Sequence, residues 1–403
     1  SEKHWILALG SRLLTRIKIV TFMKQNPTDL LSFHQVDPSR GFLPAEDPLE
    51  RLPDAFLAWE RVADQLPGLL MASQLRQVLA KLPALDVQRL EGEAQRRRAI
   101  LLLSFFAHGY VWGEDEPATV LPAGVAIPLW QVAETLGRLP ILAHASVVLH
   151  NWRRLDPSKP LQLGNLATLQ LFLGGLDEQW FYLATVAIEA AGAPSLLPLA
   201  TAQAAVARDH LGVVAEQLER IATVIEAMQD ALLRIAERCD PYIFFHRVRP
   251  FLTGWPEPGV VYEGVSDRPY KFAGGSAAQS SLVQALDAGL DIRHEEGRSH
   301  AFLNDMRSYM PPLHRRFIKA LEAGPSVRTC VLRHCQDYPA LADHYNACIT
   351  RLDCFRRTHM EIAVKYIMHQ SSAHSQGTGG THFVRFLKDV ERDTKANLIC
   401  QGR

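Results

Sequence analysis

One long run of evenly spaced apolar residues constrains the fold of this chain more than any other feature of its sequence. The run steps alternately by three and four residues, which keeps its members on one face of an α-helix. Its members are Leu211, Val214, Leu218, Ile221, Ile225, Met228, Leu232 and Ile235. The pattern predicts a helix of more than about 30 residues that ends near Asp240 and Pro241, with this face buried against other helices.

The remaining sequence agrees with an all-helical globular fold. We find no convincing alternation of apolar and polar residues typical of strands, and no internal repeat of about 20 to 50 residues. Apolar residues make up 47% and charged residues 21% of the 403 residues. These fractions are close to the globular average, so they exclude a disordered or fibrous chain.

A segment with little charge divides the chain near residue 172. This segment, residues 162–177, is also rich in glycine, a composition typical of a connection between domains. Its glycines are Gly164, Gly174 and Gly175. We therefore predict a smaller helical domain over residues 23–172 and a larger helical domain over residues 173–403.

Charge balance and the lengths of apolar runs argue against two classes of partner. Lysine and arginine together number 43, as do aspartate and glutamate, whereas a nucleic-acid binder normally has a basic excess. The apolar stretch 99–107 is about half as long as the roughly 20 residues of a membrane span, so no membrane partner is expected.

Residues 1–22 lack the apolar core of a secretory signal. They are predicted to form an N-terminal extension, with Met23 as an alternative first residue.

The cysteines favour a reduced, cytoplasmic protein. All six lie in the C-terminal part of the chain, without the dense spacing of a secreted disulfide framework. Some of them could be imagined as a zinc cluster with nearby histidines, but their spacing matches no common site and favours core packing. The residues of this group are Cys330, His334, Cys335, His344 and Cys348. Motifs for phosphate-binding loops, zinc hydrolases and serine nucleophiles are absent from the sequence.

His359 is the residue whose position points most directly to chemistry. It belongs to an apolar stripe, so its imidazole is predicted to enter the core from one face of a helix. The other members of the stripe are Ile349, Leu352, Phe355, Ile362 and Tyr366. A buried imidazole needs a partner, and spacing alone leaves two: a hydrogen bond in the core, or a haem iron. Arg356, one turn earlier, could pair with a haem propionate or lie exposed without a specific partner.

Two loops are rich in small residues. They are residues 273–281 (AGGSAAQSS) and 377–381 (GTGGT). Glycine allows close approach of the backbone to a flat or anionic ligand, and it also permits an ordinary tight turn. Either explanation fits each loop by itself.

Several groups of residues together resemble the motifs of one known family. They are NW at 151–152, DPSKP at 156–160, AGGSAAQSS at 273–281, FLNDMRSYMPP at 302–312, HR at 314–315, GPSVR at 324–328, HMEIAVKYI at 359–367 and GTGGTHFVRFLK at 377–388. In this order they are similar to the indoleamine 2,3-dioxygenase family. The resemblance covers nearly everything from about residue 30 to the C-terminus.

This resemblance implies an all-α, two-domain haem protein whose larger C-terminal helical bundle encloses haem b. In the family, ferrous (Fe2+) haem binds O2, and both oxygen atoms are inserted across the C2–C3 bond of the indole of L-tryptophan to give N-formylkynurenine. His359 stands at the position of the family's proximal iron ligand. The resemblance thus favours the haem interpretation of His359.

Other roles are implied position by position. Phe244 resembles the aromatic residue that packs on the indole, and Arg249 the guanidinium that binds the substrate carboxylate. Both roles suit the chemistry of these side chains. Phe181 resembles a residue of the distal helix, and Arg356 the partner of a haem propionate.

Small residues receive implied roles as well. Gly275, Ser276 and Ala277 resemble the loop over the haem edge, where Ser276 contacts both cofactor and substrate. Thr378 resembles the residue of a mobile loop that closes on the amino group of the substrate.

Two positions depart from the family pattern in the distal pocket. Thr185 stands where the vertebrate members carry serine, and His144 stands where they carry tyrosine. His144 could hydrogen-bond bound O2 or the indole N–H, or it could cap a buried carbonyl. The departures leave the preferred indole and the turnover open.

The resemblance therefore predicts a cytoplasmic tryptophan-cleaving haem dioxygenase that takes a small-molecule indole substrate and needs an electron donor not identified by the sequence. A myoglobin-like, non-catalytic oxygen-binding protein of the same fold is the alternative. Arg249 and the GTGG motif favour the enzyme, because a carrier needs no group to hold a carboxylate and an amine.

Overall fold

The computed structural model describes residues 26–294, 297–370, 378 and 383–399. The predicted extension over residues 1–22 lies outside these ranges. Within them the chain is predominantly helical, with four short strands. The all-α fold class is confirmed.

Sixteen α-helices lie within the described ranges. They are α1 (Pro27–Phe33), α2 (Leu57–Met71), α3 (Leu75–Leu79), α4 (Gly92–Trp112), α5 (Ala123–Thr135), α6 (Leu176–Gly192), α7 (Leu196–Val206), α8 (Leu211–Leu233), α9 (Pro241–Ile243), α10 (Arg249–Leu252), α11 (Ser281–Gly289), α12 (Arg298–Arg307), α13 (Pro312–Ala323), α14 (Val327–His334), α15 (Pro339–Tyr366) and α16 (Phe383–Lys395). Two five-residue π-helices, Ala145–Leu149 and Phe244–Val248, interrupt the regular pattern. The strands are β1 (Val120–Leu121), β2 (Trp152–Arg154), β3 (Leu166–Thr168) and β4 (Val261–Tyr262).

The helix α8 forms the centre of the C-terminal bundle. It packs against α6, α7 and α15, and the predicted apolar face is buried from Val214 to Ile235. The predicted length is wrong, since α8 has 23 residues and ends at Leu233 in a 3-10 turn. The chain then starts a new helix at Pro241, because the side chain of Asp240 caps its first two free N–H groups and proline suits the first helical position.

The segment at the predicted domain boundary packs against residues that precede it and residues that follow it in the sequence. The ring of Phe172 stacks between Phe105 of α4 and Phe251 of α10, with centroid distances of 4.3 and 4.6 Å. The buried carboxylate of Glu178 accepts hydrogen bonds from the N–H groups of residues 172–174. These contacts fix the start of α6, which carries part of the site described below.

Other contacts also connect residues before position 172 to residues after it. Strand β1 pairs in parallel with β4, with Val120 opposite Val261. The buried His108 of α4 bonds the carbonyl of Phe251 at 2.7 Å, and burial lowers its pKa to about 3. The division into residues 23–172 and 173–403 stays a prediction.

One stretch, Leu176–Val206, is long and apolar enough to cross a membrane by length and composition. It comprises α6, a 3-10 turn and α7, and most of its apolar window is buried in the fold. The core helix of a globular protein has the same properties, so this stretch is weak evidence for a span.

Candidate functional site

One cavity of the C-terminal bundle gathers the residues singled out in the sequence. It lies between α6, the end of α8, the second π-helix, the loop before α11, α15 and α16. The predicted site residues that line it are His144, Phe181, Thr185, Phe244, Arg249, Gly275, Ser276, Ala277, Arg356, His359 and Thr378. We call this space the site cavity. It brings together residues that are up to 234 positions apart, from His144 to Thr378.

His359 reaches the site cavity from the last two turns of α15. The stripe that contains it packs into the bundle as predicted, with Leu352 and Phe355 buried. Among the described residues the imidazole of His359 has no hydrogen-bond partner. Removal from water lowers its pKa, and the nearby cation of Arg356 lowers it further. The side chain is therefore a neutral imidazole with a lone pair available to a metal.

Arg356 lies in the wall of the site cavity but already has a partner. Its Nη2 atom is 2.7 Å from both carboxylate oxygens of Asp287 in α11, and it also donates to the hydroxyl of Thr394. The interpretation as an exposed arginine is wrong, because the side chain is buried. A role toward a haem propionate stays a prediction, and it would have to share the guanidinium with Asp287.

Two aromatic residues form one wall of the site cavity. The ring of Phe181 in α6 lies 4.4 Å from the ring of Phe244, centroid to centroid. Phe244 in turn makes an edge contact with Tyr366. Such a wall suits a flat apolar ligand. Thr185, one turn after Phe181, donates its hydroxyl to the carbonyl of Phe181 at 2.9 Å, so the hydroxyl is used within the helix.

His144 makes a contact that neither predicted role included. Its Nε2 atom lies 2.9 Å from Oε1 of Glu189, and both side chains are buried. Ser280 donates to the same carboxylate oxygen at 2.7 Å. The carbonyl-cap interpretation is therefore wrong for Nε2, because this nitrogen is bound to a carboxylate. Contact of His144 with O2 or with an indole stays a prediction.

Arg249 begins α10, directly after the π-helix that carries Phe244. Its guanidinium carbon lies 5.3 Å from the centroid of the Phe245 ring. Burial lowers the pKa of Arg249, but an arginine remains charged at neutral pH. The site cavity thus has a cation at the edge of an otherwise mainly apolar wall.

The two small-residue loops meet at the site cavity. Thr378 donates its hydroxyl to the carbonyl of Gly275 at 2.7 Å, and its own carbonyl accepts from Gly274. Gly274 has no room for a side chain, because a Cβ would lie 2.0 Å from the carbonyl oxygen of Leu252. Ser276 caps the turn that follows. The rest of the GTGGT loop lies outside the described residues.

The sequence patterns did not single out three polar residues: Glu189 and Asp287, which line the site cavity, and Gln279, which supports it from behind. Gln279 joins the loops, since its side chain accepts from the N–H of His144 and donates to the carbonyl of Gly274. A signal existed for Glu189, which lies four residues after Thr185 and hence on the same helix face. Nothing in the sequence near Asp287 indicates its pairing with Arg356.

The zinc cluster that the sequence disfavoured has no support in the part of the chain that the structure describes. There, no group of three or more His, Cys, Asp or Glu side chains is arranged to hold a metal. The described cysteines are free thiols. Cys348 packs against α8, and burial raises its pKa to about 12, so it behaves as a core residue as predicted.

Comparison with known proteins now defines the family. The sequence model of "Indoleamine 2,3-dioxygenase" matches residues 30–397. The chain belongs to the indoleamine 2,3-dioxygenase family. It is 39% identical to indoleamine 2,3-dioxygenase 1 of Mus musculus, over 93% of this chain and 98% of the mouse protein.

Two relatives of lower identity match over similar lengths. The indoleamine 2,3-dioxygenase of Saccharomyces cerevisiae is 33% identical, over 96% of this chain and 90% of the yeast protein. A myoglobin of Haliotis madaka is 34% identical, over 91% of this chain and 98% of that protein. The family resemblance inferred from the motifs is confirmed.

Proposed function

We propose that this protein is a haem-dependent dioxygenase that cleaves the pyrrole ring of L-tryptophan, or of a close indoleamine, to give N-formylkynurenine. This would be the first step of tryptophan breakdown. The observation that carries the proposal is the set of side chains that line the site cavity. Its lining includes a neutral imidazole with no hydrogen bond to any described residue, a pair of aromatic rings and a guanidinium. Membership of the family supports the same chemistry.

The residues of the site cavity fit haem b. His359 offers an imidazole nitrogen that no other described residue engages, and a histidine nitrogen is a usual donor for haem iron. Arg356 would be the basic residue that meets a propionate, while it also binds Asp287. When bound in its ferrous form, the haem would supply the activation of O2, the co-substrate. The protein would also need an electron donor that keeps the iron ferrous, and we propose that it works in the cytoplasm.

The chain's own residues would position the substrate. Phe181 and Phe244 would hold the indole between apolar surfaces and exclude water. Arg249 would bind the carboxylate through two parallel N–H bonds. Thr378, which already contacts the Gly275 loop, would close on the amino group. Placement of this kind can lower a reaction barrier without a side-chain base.

A direct assay of turnover tests the proposal. The haem-loaded protein, a reductant and O2 are mixed with L-tryptophan, and N-formylkynurenine is followed by absorbance and mass spectrometry. We expect both oxygen atoms of the product to come from 18O-labelled O2. Absence of product from fully haem-loaded, ferrous protein with every indole tried would contradict the proposal.

A non-catalytic oxygen-binding protein is the second candidate, and the relative named myoglobin is the observation that favours it. The two candidates differ in their response to tryptophan. A carrier would bind and release O2 unchanged when tryptophan is added, whereas the dioxygenase would consume O2 and tryptophan in equal amounts.

A further inference from the structure

A second cavity lies on the other side of the first π-helix. Its volume is about 700 Å³, which is within the range of small-molecule sites. It is bordered by the segment that follows α1, the start of α4, the end of α5 and the start of α13. Val147 and Val148 of the π-helix line the site cavity, while His150, just after it, lines the second cavity.

Arg138 is held in the wall of the second cavity by a defined turn. Helix α5 ends with Gly137 in the left-handed conformation (φ +61°) against Pro312, where a Cβ would lie 2.7 Å from the proline ring. The N–H of Arg138 closes this turn on the carbonyl of Ala133. The turn is a common helix end, and it directs the chain back toward the core.

The guanidinium of Arg138 is buried, and only some of its hydrogen-bond donors have a partner among the described residues. The side chain is 7% exposed. Its Nη2 atom donates to the hydroxyl of Ser146 at 2.8 Å, but Nε and Nη1 have no partner among the described residues. Burial lowers its pKa to about 10, so it is still charged at neutral pH. An unpaired buried cation is costly.

Two buried histidines lie beside this cation. His314 and His150 line the same cavity, and Nδ1 of His314 also has no partner in the described part of the chain. Burial, together with the nearby cations of Arg97 and Arg138, lowers the pKa of His314 to about 3. The imidazole is therefore neutral and can donate one hydrogen bond.

Most other charged groups of the second cavity have partners within the fold. Arg97 binds Glu93, Arg98 binds the buried Glu60, and Asp47 binds both Arg40 and Arg154. Asp37 accepts hydrogen bonds from the backbone and side chain of Ser39 and from the backbone of Arg40. Glu46 lies exposed, and Arg96 donates to the carbonyl of Leu90. No carboxylate of the described residues forms an ion pair with Arg138.

We propose that the second cavity binds a small organic anion through a terminal oxyanion, a phosphate or a carboxylate, with Arg138 as its main ligand. The free Nε–H and Nη1–H donors can each form a charge-assisted hydrogen bond to such a group. His314 would add a donor to the same anion. The N-terminal residues 1–25 are poor candidates for this position, because they contain five lysines and arginines and one glutamate.

Calorimetric titration of the haem-loaded full-length protein tests this proposal. Inorganic phosphate and succinate are the two probes, titrated in a chloride buffer of matched ionic strength. We expect saturable binding of at least one probe. Phosphate alone would indicate a phosphorylated ligand, succinate alone a carboxylate ligand. Failure of both probes to bind up to millimolar concentrations would overturn the proposal.

The matched variants are Arg138→Met and Arg220→Met. Arg220 is an exposed arginine of α8 paired with Glu216, so its replacement removes the same charge away from the cavity. Affinity should fall about tenfold or more in Arg138→Met and stay unchanged in Arg220→Met. Equal affinity in both variants would overturn the assignment.

Two further measurements distinguish anion binding by Arg138 from a purely structural role. In the absence of anion, Arg138→Met should melt at a higher temperature than the unsubstituted protein, because an unpaired buried cation has been removed. A lower melting temperature would indicate that the fold itself pairs this charge, and would contradict the proposal. If Arg138→Met does not fold, His314→Leu takes its place and should also bind the probe more weakly; unchanged affinity would then overturn the proposal.

Discussion

Arg356 and Asp287 form an ion pair in the wall of the site cavity, in which the single Nη2 atom of Arg356 lies 2.7 Å from each carboxylate oxygen of Asp287. The pair joins α15 to α11 one turn before His359. Burial alone would raise the pKa of Asp287, but the charges of Arg356 and His294 outweigh it, and the net pKa lies below the ordinary value of 3.8. The cavity wall is therefore stabilised by an ionised carboxylate.

Replacing Asp287 with Asn should destabilise the protein at neutral pH and flatten its response to acid. A depressed folded-state pKa contributes stability above the unfolded value near 3.8, and this contribution is lost as the pH falls through the lower folded value. Leaving Arg356 unpaired should cost up to about 3–5 kcal/mol at neutral pH. Urea unfolding at neutral pH and at about pH 3 measures the change. The exposed Asp305→Asn on α12 is the control, and a deficit that does not shrink on acidification contradicts the prediction.

Replacing His359 with Ala should abolish stable haem binding, because it removes the nitrogen predicted to bind the iron and leaves a cavity in its place. The haem content and the Soret band of the purified protein measure this, and added imidazole should restore part of the band. His344→Ala is the matched control, since His344 lies on the same helix but does not line the site cavity. A normal haem spectrum in His359→Ala would refute the assignment.

Replacing Arg249 with Lys should weaken catalysis while haem content stays normal. Lysine keeps the charge but loses the planar fork. Loss of a charge-assisted contact of about 1.5–3 kcal/mol lowers kcat/KM for L-tryptophan roughly 10- to 150-fold. An indole analogue without a carboxylate should be affected much less. Equal losses for both substrates would show that Arg249 does not bind the carboxylate.

Replacing Thr185 with Val should leave turnover nearly unchanged. The hydroxyl of Thr185 bonds the carbonyl of Phe181 within α6, and valine keeps the shape of the side chain. The free energy of unfolding should change by at most about 1.5 kcal/mol. Steady-state kinetics and urea unfolding test this together. Complete loss of activity would mean that the hydroxyl contacts the substrate or O2.

Replacing His144 with Ala should destabilise the protein without removing haem. The change leaves Glu189 buried with Ser280 as its remaining described side-chain donor, which should cost about 1–3 kcal/mol. Ser280→Ala is the comparison, and it should cost less because His144 still contacts the carboxylate. If His144→Ala is as stable as the unsubstituted protein, the contact with Glu189 contributes nothing.

The sequence by itself determined the helical class, the buried face of α8 and the inward direction of His359. These features follow from the period of the apolar residues, which is a local property. The order of the motifs also determined the family, and it singled out the residues that line the site cavity. Local patterns predicted the end of α8 wrongly, because the side chain of Asp240 starts a new helix beyond a 3-10 turn.

Only the tertiary structure decided which polar groups meet. His144 and Glu189 are 45 positions apart, and Arg356 and Asp287 are 69 positions apart, so no local spacing reports these contacts. The partner of a buried charge depends on which helices pack together, since burial makes an unpaired group costly and leaves only neighbours in space to satisfy it. The same reasoning applies to Arg138. Its Nε and Nη1 atoms have no hydrogen-bond partner in the described part of the chain, and this follows from how α5, the first π-helix and α13 pack around one cavity.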